Sequence, residues 1–158
     1  MLKNHLLSQI LDGTLTDYKR YLSGICKDYY ICIDFKEPYY AVRINACLAD
    51  GKMAQDLAEF LAGLKSDKHH MKTIELTEHE ITLIVAQPNF KKNVPEILNG
   101  IIEPILEYLF VNGYRSGCAK CGEEGDVCCV EIEKQQHHLF CKDCAAEVTA
   151  EKQKKRNR

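Results

Sequence analysis

Tyr29-Tyr-Ile-Cys-Ile-Asp-Phe35 and Tyr39-Tyr-Ala-Val-Arg-Ile-Asn-Ala-Cys47 stand on either side of Lys36-Glu-Pro38. Both runs are rich in aromatic and β-branched residues, which fit a pleated and partly buried surface. Proline cannot donate to a strand ladder and fixes its own φ, so the intervening residues read as a turn. The two runs therefore predict a β-hairpin.

Upstream of this hairpin, Leu2, Leu6, Leu7, Ile10 and Leu11 recur at helical spacing and predict a short amphipathic helix broken at Gly13. A second helical stretch through Tyr18, Tyr21 and Leu22 is expected before Gly24. Downstream, Leu57, Phe60, Leu61 and Leu64 fall at the spacing of one buried helical face. Thr73-Ile-Glu-Leu-Thr77 alternates and Ile81-Thr-Leu-Ile-Val-Ala86 is more continuously apolar, which predicts a second strand pair. A last helix is expected from about Val94 to Val111, with a kink at Pro104. The order helix, two strands, helix, two strands, helix predicts an α+β domain with a mainly antiparallel sheet over residues 1–112. This element order is similar to that of type III secretion chaperones and YbjN-like domains. Those are small α+β proteins that bind other polypeptides, and the resemblance implies the same role here.

Asn112-Gly113-Tyr-Arg-Ser-Gly117 marks a change of pattern, so residues 113–117 are expected to act as a linker. Beyond it come two Cys-x-x-Cys pairs, Cys118-Ala-Lys-Cys121 and Cys141-Lys-Asp-Cys144. Four thiolates supplied as two knuckles make a tetrahedral sulfur site, which favours zinc and less often iron. Such a closed shell leaves no position for water, so the expected role of Cys118, Cys121, Cys141 and Cys144 is to hold a structural zinc ion. Gly122 after the first knuckle permits a tight turn. Val127-Cys-Cys-Val-Glu-Ile132 and His137-His-Leu-Phe140 predict a hairpin around Glu133–Gln136, and Ala145–Lys152 is a good helix former. Knuckle, hairpin, knuckle, helix is the treble-clef or zinc-ribbon plan, expected over residues 118–150 and followed by a basic tail at 151–158. Residues 118–148 resemble the zinc-binding domain of ClpX-type unfoldases, which implies the same four ligands and a role in gripping a protein partner or forming a homodimer.

The remaining features narrow the reading. The chain carries nine cysteines, an odd number, and opens with no secretory signal, so a reducing cytoplasm is expected. Cys26, Cys32 and Cys47 read as small core hydrophobes. Cys128 and Cys129 point to opposite sides of a strand, so one is expected inward and the other exposed, with a redox-sensitive thiol as the sharper alternative. His137 and His138 are spare ligands to a shell that four thiolates complete. His79-Glu80-Ile-Thr-Leu83 begins like a metalloprotease motif but has Leu where the second His must stand. No phosphate-cradling loop, nucleophile elbow or dinucleotide fingerprint is present, and an enzyme is not expected. Residues 1–112 hold 12 Lys/Arg against 15 Asp/Glu, and residues 113–158 hold 9 against 8, so no strong field draws in nucleic acid. Lys152-Gln-Lys-Lys-Arg-Asn-Arg158 is the exception, a basic run suited to RNA, DNA or an anionic membrane surface. The expected function is a non-catalytic protein-binding adaptor with a structural zinc site. The alternative is nucleic-acid binding through the zinc module and tail.

Overall fold

The computed structural model describes residues 15–17, 21–36, 39–47, 55–64, 71–77, 79–86, 98–133 and 136–157. The helix expected over Leu2–Leu11 lies outside them. The chain is α+β, with two antiparallel sheets among the described residues. Six strands form the larger sheet: β1 (Leu15–Asp17), β2 (Tyr21–Cys26), β3 (Tyr29–Lys36), β4 (Tyr39–Asn45), β5 (Met71–Leu76) and β6 (Glu80–Ala86). Their order across the sheet is β1-β2-β3-β4-β6-β5, and every neighbouring pair is antiparallel. The hairpin read from Tyr29–Cys47 is β3 and β4, with Ile33 opposite Val42.

Residues 21–26 correct the expectation of a second helix, for they form β2, paired along its length with β3. The turn between them is Lys27-Asp28, and both residues have positive φ, 49° and 73°. Two left-handed residues suit the right-handed twist of a tight hairpin, and Asp tolerates that conformation better than most. Pairing with β3 outweighs a helical spacing that spans barely one turn.

Alternation along the strands gives the sheet two faces. Tyr29, Ile31 and Ile33 of β3, with Val42, Ile44 and Leu83 from neighbouring strands, look toward an apolar core. Among the described residues, two helices cover it. Helix α1 (Gln55–Leu64) contributes Leu57 and Leu61, and α2 (Glu103–Val111) contributes Ile105, Leu106 and Leu109. Phe60 and Tyr108 stack between the helices with ring centroids 4.1 Å apart. A π-helical turn, Leu98–Ile102, leads into α2, with Pro104 in its first turn. The proline ring crowds the carbonyl four residues back and removes a donor, and a widened turn relieves both.

The opposite face holds Cys32, Asp34, Arg43, Asn45, Glu80 and Thr82, all buried although most are polar. They are covered by the C-terminal part of the chain, in which β7 (Val127–Glu133) and β8 (Gln136–Cys141) form a hairpin and α3 (Lys142–Arg156) follows directly. The basic run is therefore helical as far as Arg156. Residues 113–117 are tied to the sheet on their way across. Tyr114 is buried in the apolar core, and its carbonyl accepts the Tyr29 hydroxyl at 2.9 Å. Arg115 and Cys47 exchange backbone hydrogen bonds, each 2.8 Å. Among the described residues, no helix is long and apolar enough to cross a membrane.

Candidate metal centre

Cys118, Cys121, Cys141 and Cys144 come together with all four sulfurs within 4.8 Å of one another. The first pair lies on a turn closed by the Gly122 N–H donating to the Cys118 carbonyl at 2.9 Å. Gly122 has φ +75°, and an added Cβ would come within 2.7 Å of the His79 ring, so glycine is required on both counts. The second pair straddles the end of β8 and the start of α3, where Cys141 is the N-cap residue and Cys144 lies in the first turn. The second pair thus sits at the positive end of a 15-residue helix.

The arrangement fits a metal ion. A tetrahedron with metal–sulfur bonds of ~2.3 Å, the length of a zinc–thiolate bond, has edges of about 3.8 Å. The Cys121 and Cys141 sulfurs are 3.7 Å apart. Backbone N–H groups of Lys120 and Glu123 point at the sulfurs of Cys118 and Cys121, at 3.4 and 3.5 Å. Burial works against a charged Cys118, but N–H groups of Cys121, Cys141 and Lys120 outweigh it and bring the thiol down to about 7. Burial pushes the Cys144 thiol up. Among the described residues, Phe140 and Ala145 join Cys118 and Cys144 as the buried members of the local cluster, a small core for a fold of this size.

His137 and His138 do not join the sulfurs. They dock the hairpin on the polar face of the larger sheet. Asp34, fully buried, accepts from the His137 backbone N–H at 2.8 Å, from its ring Nδ1 at 2.6 Å and from Arg43 Nη1. Since the carboxylate accepts only, Nδ1 carries the proton. Arg43 Nη1 also donates to the His137 carbonyl at 3.2 Å, and Tyr21 stacks on the imidazole with centroids 3.9 Å apart. His138 Nδ1 lies 2.9 Å from Glu80 Oε1. Asn45 Nδ2 donates to the carbonyls of Gly117 and Leu139, at 2.7 and 3.0 Å. The Cys47 thiol donates to the Gly122 carbonyl at 3.2 Å.

The cysteine spacing was enough to find the four sulfurs, but not the platform beneath them. Of the residues read as core cysteines, Cys26 belongs to the apolar cluster, whereas Cys32 and Cys47 are buried on the polar face. The one available signal for that face was the mixture of opposite charges at alternate strand positions, Asp34 against Arg43. Compared with known proteins, the chain matches no family model, no curated protein and no solved structure.

Proposed function

We propose that the protein is a non-catalytic adaptor, in which a structural zinc ion held by Cys118, Cys121, Cys141 and Cys144 supports a surface for a polypeptide partner. One observation carries this reading. A groove of about 400 Å³ runs between the β2–β3 turn, the end of α2 and residues 114–116. Ile25 and Phe110 line it at 48% and 67% exposure. Large apolar side chains grouped at a concave surface mark a place where another chain buries its own. Asp28 and Glu124 stand on the rim, and Glu124 is paired with Arg115 at 3.0 Å. The partner segment therefore presents an apolar anchor among neutral or basic neighbours.

Four thiolates close the coordination shell, which suits a metal that holds structure rather than one that activates water. A reducing cytoplasm, where thiolates stay available as metal ligands, is the compartment this proposal calls for. The division into a domain at 1–112, a connecting segment at 113–117, a zinc module at 118–150 and a basic end at 151–158 belongs to the same proposal. So does the likeness of residues 118–148 to the ClpX-type domain, which supports gripping a protein chain. The test is crosslinking in cells, with and without nuclease, comparing the native chain with Phe110→Asp. Protein partners that resist nuclease and disappear in the variant support the adaptor. Unchanged partners in Phe110→Asp overturn the assignment of the groove.

The second reading, nucleic-acid binding, is favoured by the last turn of α3, where Lys154, Lys155 and Arg156 extend from the module on a helix. It requires an affinity for RNA or DNA that falls steeply with salt and is lost when residues 152–158 are removed.

A further inference from the structure

Beside the seated hairpin, the polar face of the larger sheet carries a cavity of about 590 Å³. One parity of two neighbouring strands lines it, Tyr39, Ala41 and Arg43 of β4 and Glu80, Thr82 and Ile84 of β6. Glu75 joins them from β5, and Gln136 and His138 from the hairpin strand β8. The volume falls in the range of small-molecule sites, ~300–1,000 Å³. Arg43, Glu80 and Thr82 are each less than a tenth exposed, so the polar groups that face the cavity are held in place.

Strand register gives the cavity two unlike ends. Ala41 stands opposite Ile84, with Tyr39 beyond it on β4, and this end is apolar. Two residues along, or about 7 Å, Arg43 stands opposite Thr82 and Thr82 opposite Glu75. Glu80 lies two residues further on β6. The Arg43 charge is met by Asp34. His138 adds none, because its Nδ1 donates to Glu80 at 2.9 Å and its Nε2 lies 3.1 Å from the Gln136 amide nitrogen, which donates to a bare ring nitrogen. Among the described residues, no lysine or arginine pairs with Glu75 or Glu80. Glu80 is 3% exposed, and His138 is its one side-chain donor among those residues, whereas a carboxylate has about four acceptor sites. Among the described residues, only the four cysteines have the mutual spacing of metal ligands, so a bare metal ion does not suit Glu75, Glu80 and His138. A buried anion short of donors, with hydrocarbon at the far end of its cavity, suits a cation on an apolar body.

We propose that this cavity binds a small organic amine, its ammonium against Glu80 and Glu75 and its apolar body on Ala41, Ile84 and Tyr39. The strand spacing sets about 7 Å between the ammonium and the centre of the apolar group. Two carboxylates repel an anion of the same shape, and a neutral alcohol brings one donor where an ammonium brings three. Gln136 and His138 belong to the C-terminal hairpin and the other contacts to the larger sheet, so an occupied cavity joins the two. Binding therefore stabilises the seated hairpin by mass action. The site is separate from the groove at Ile25 and Phe110 and does not depend on the partner proposed for it.

The probe is phenylbutylamine, with phenylbutanol and phenylbutyrate as its neutral and anionic counterparts. Each is titrated into the full chain, carrying its metal, and followed by calorimetry and by amide chemical shifts. The amine is expected to bind about tenfold more tightly than the alcohol, the difference between a charge-assisted hydrogen bond and a neutral one. The butyrate is expected not to bind. Shifts are expected at Thr82, Ile84 and His138 and not at Ile25 or Phe110. Glu75→Gln changes an exposed position on the edge strand, where the fold tolerates it, and is expected to weaken the amine severalfold while leaving the alcohol unchanged. Equal binding of amine and alcohol overturns the inference, and so does an amine affinity that Glu75→Gln leaves as it was. A cavity that holds water only, with no shift at millimolar amine, overturns it too. Acetyl-lysine amide presents the same ammonium on a peptide backbone; if it binds more tightly than the amine, the cavity takes a partner's side chain and the small-molecule assignment falls.

Discussion

On one face of the larger sheet Ile31, Ile33, Val42 and Leu83 meet two helices, and on the other Asp34, Arg43, Asn45 and Glu80 meet the hairpin of the metal module. The strands are the same and the side chains differ only by parity along them. The apolar contact is non-directional and is lost only by exposing hydrocarbon to water. The polar contact depends on geometry, and each of its groups can be rehydrated if the cover leaves. One face is therefore the root of the fold, and the other is a seat from which a cover can lift without leaving a greasy scar.

The largest test of this contrast is Cys141→Ser. A structural zinc site, as proposed here, contributes on the order of 10–16 kcal/mol in comparable small domains, and three ligands hold little of it. The variant is expected to lose its metal, and amides of β7 and β8 are expected to exchange freely while those of β3, β4 and β6 stay protected. If the central strands exchange as fast as the hairpin, the two faces are one cooperative unit and the contrast fails. Asp34→Ala comes next. It leaves the Arg43 guanidinium and the His137 ring buried without their acceptor, at a cost of about 3–5 kcal/mol in urea unfolding, with weaker metal retention. Leu61→Ala strikes the other face for about 2–5 kcal/mol by opening a cavity, and metal affinity is expected to hold. Combining the two gives the sharpest reading: independent faces make the losses additive to within about 0.5 kcal/mol, and coupled faces do not.

The smallest effect concerns Tyr29, whose hydroxyl is pushed up to about 12, first by burial and then by the Asp28 charge. Between pH 10 and 12 the unfolded chain releases this proton and the folded one keeps it. Stability attached to Tyr29 is thus complete below pH 10 and falls as pH rises toward 12. Thermal melts of the native chain and Tyr29→Phe over that interval should converge, because the phenylalanine variant is already without the titrating group.

Much of the apolar half could be read from the residues alone. β3, β4 and β6 are dense in Ile, Val and Tyr, and α1 keeps its spacing of Leu57, Leu61 and Leu64. Residues 21–26 misled because the signal for their strand lies in a turn, Lys27-Asp28, that carries no glycine or asparagine to announce itself. The metal centre was legible because sulfur chemistry fixes the spacing locally. Its seat was not. Asp34 and Glu80 look like solvent-facing strand positions until partners 103 and 58 residues away arrive, His137 and His138. Local periodicity records which side of a strand a residue takes, and it is silent on what arrives there.

The polar seat has a consequence for synthesis. Strands β3, β4 and β6 leave the ribosome well before Cys141 and Cys144, so the sheet and its helices have time to assemble while the hairpin is still being made. During that wait the open surface displays Asp34, Arg43, Asn45 and Glu80 to water, and a nascent sheet that shows charge rather than hydrocarbon attracts neither aggregation partners nor chaperones. Capture of the metal is then a finishing step, taken on a foundation that has been safe to leave uncovered.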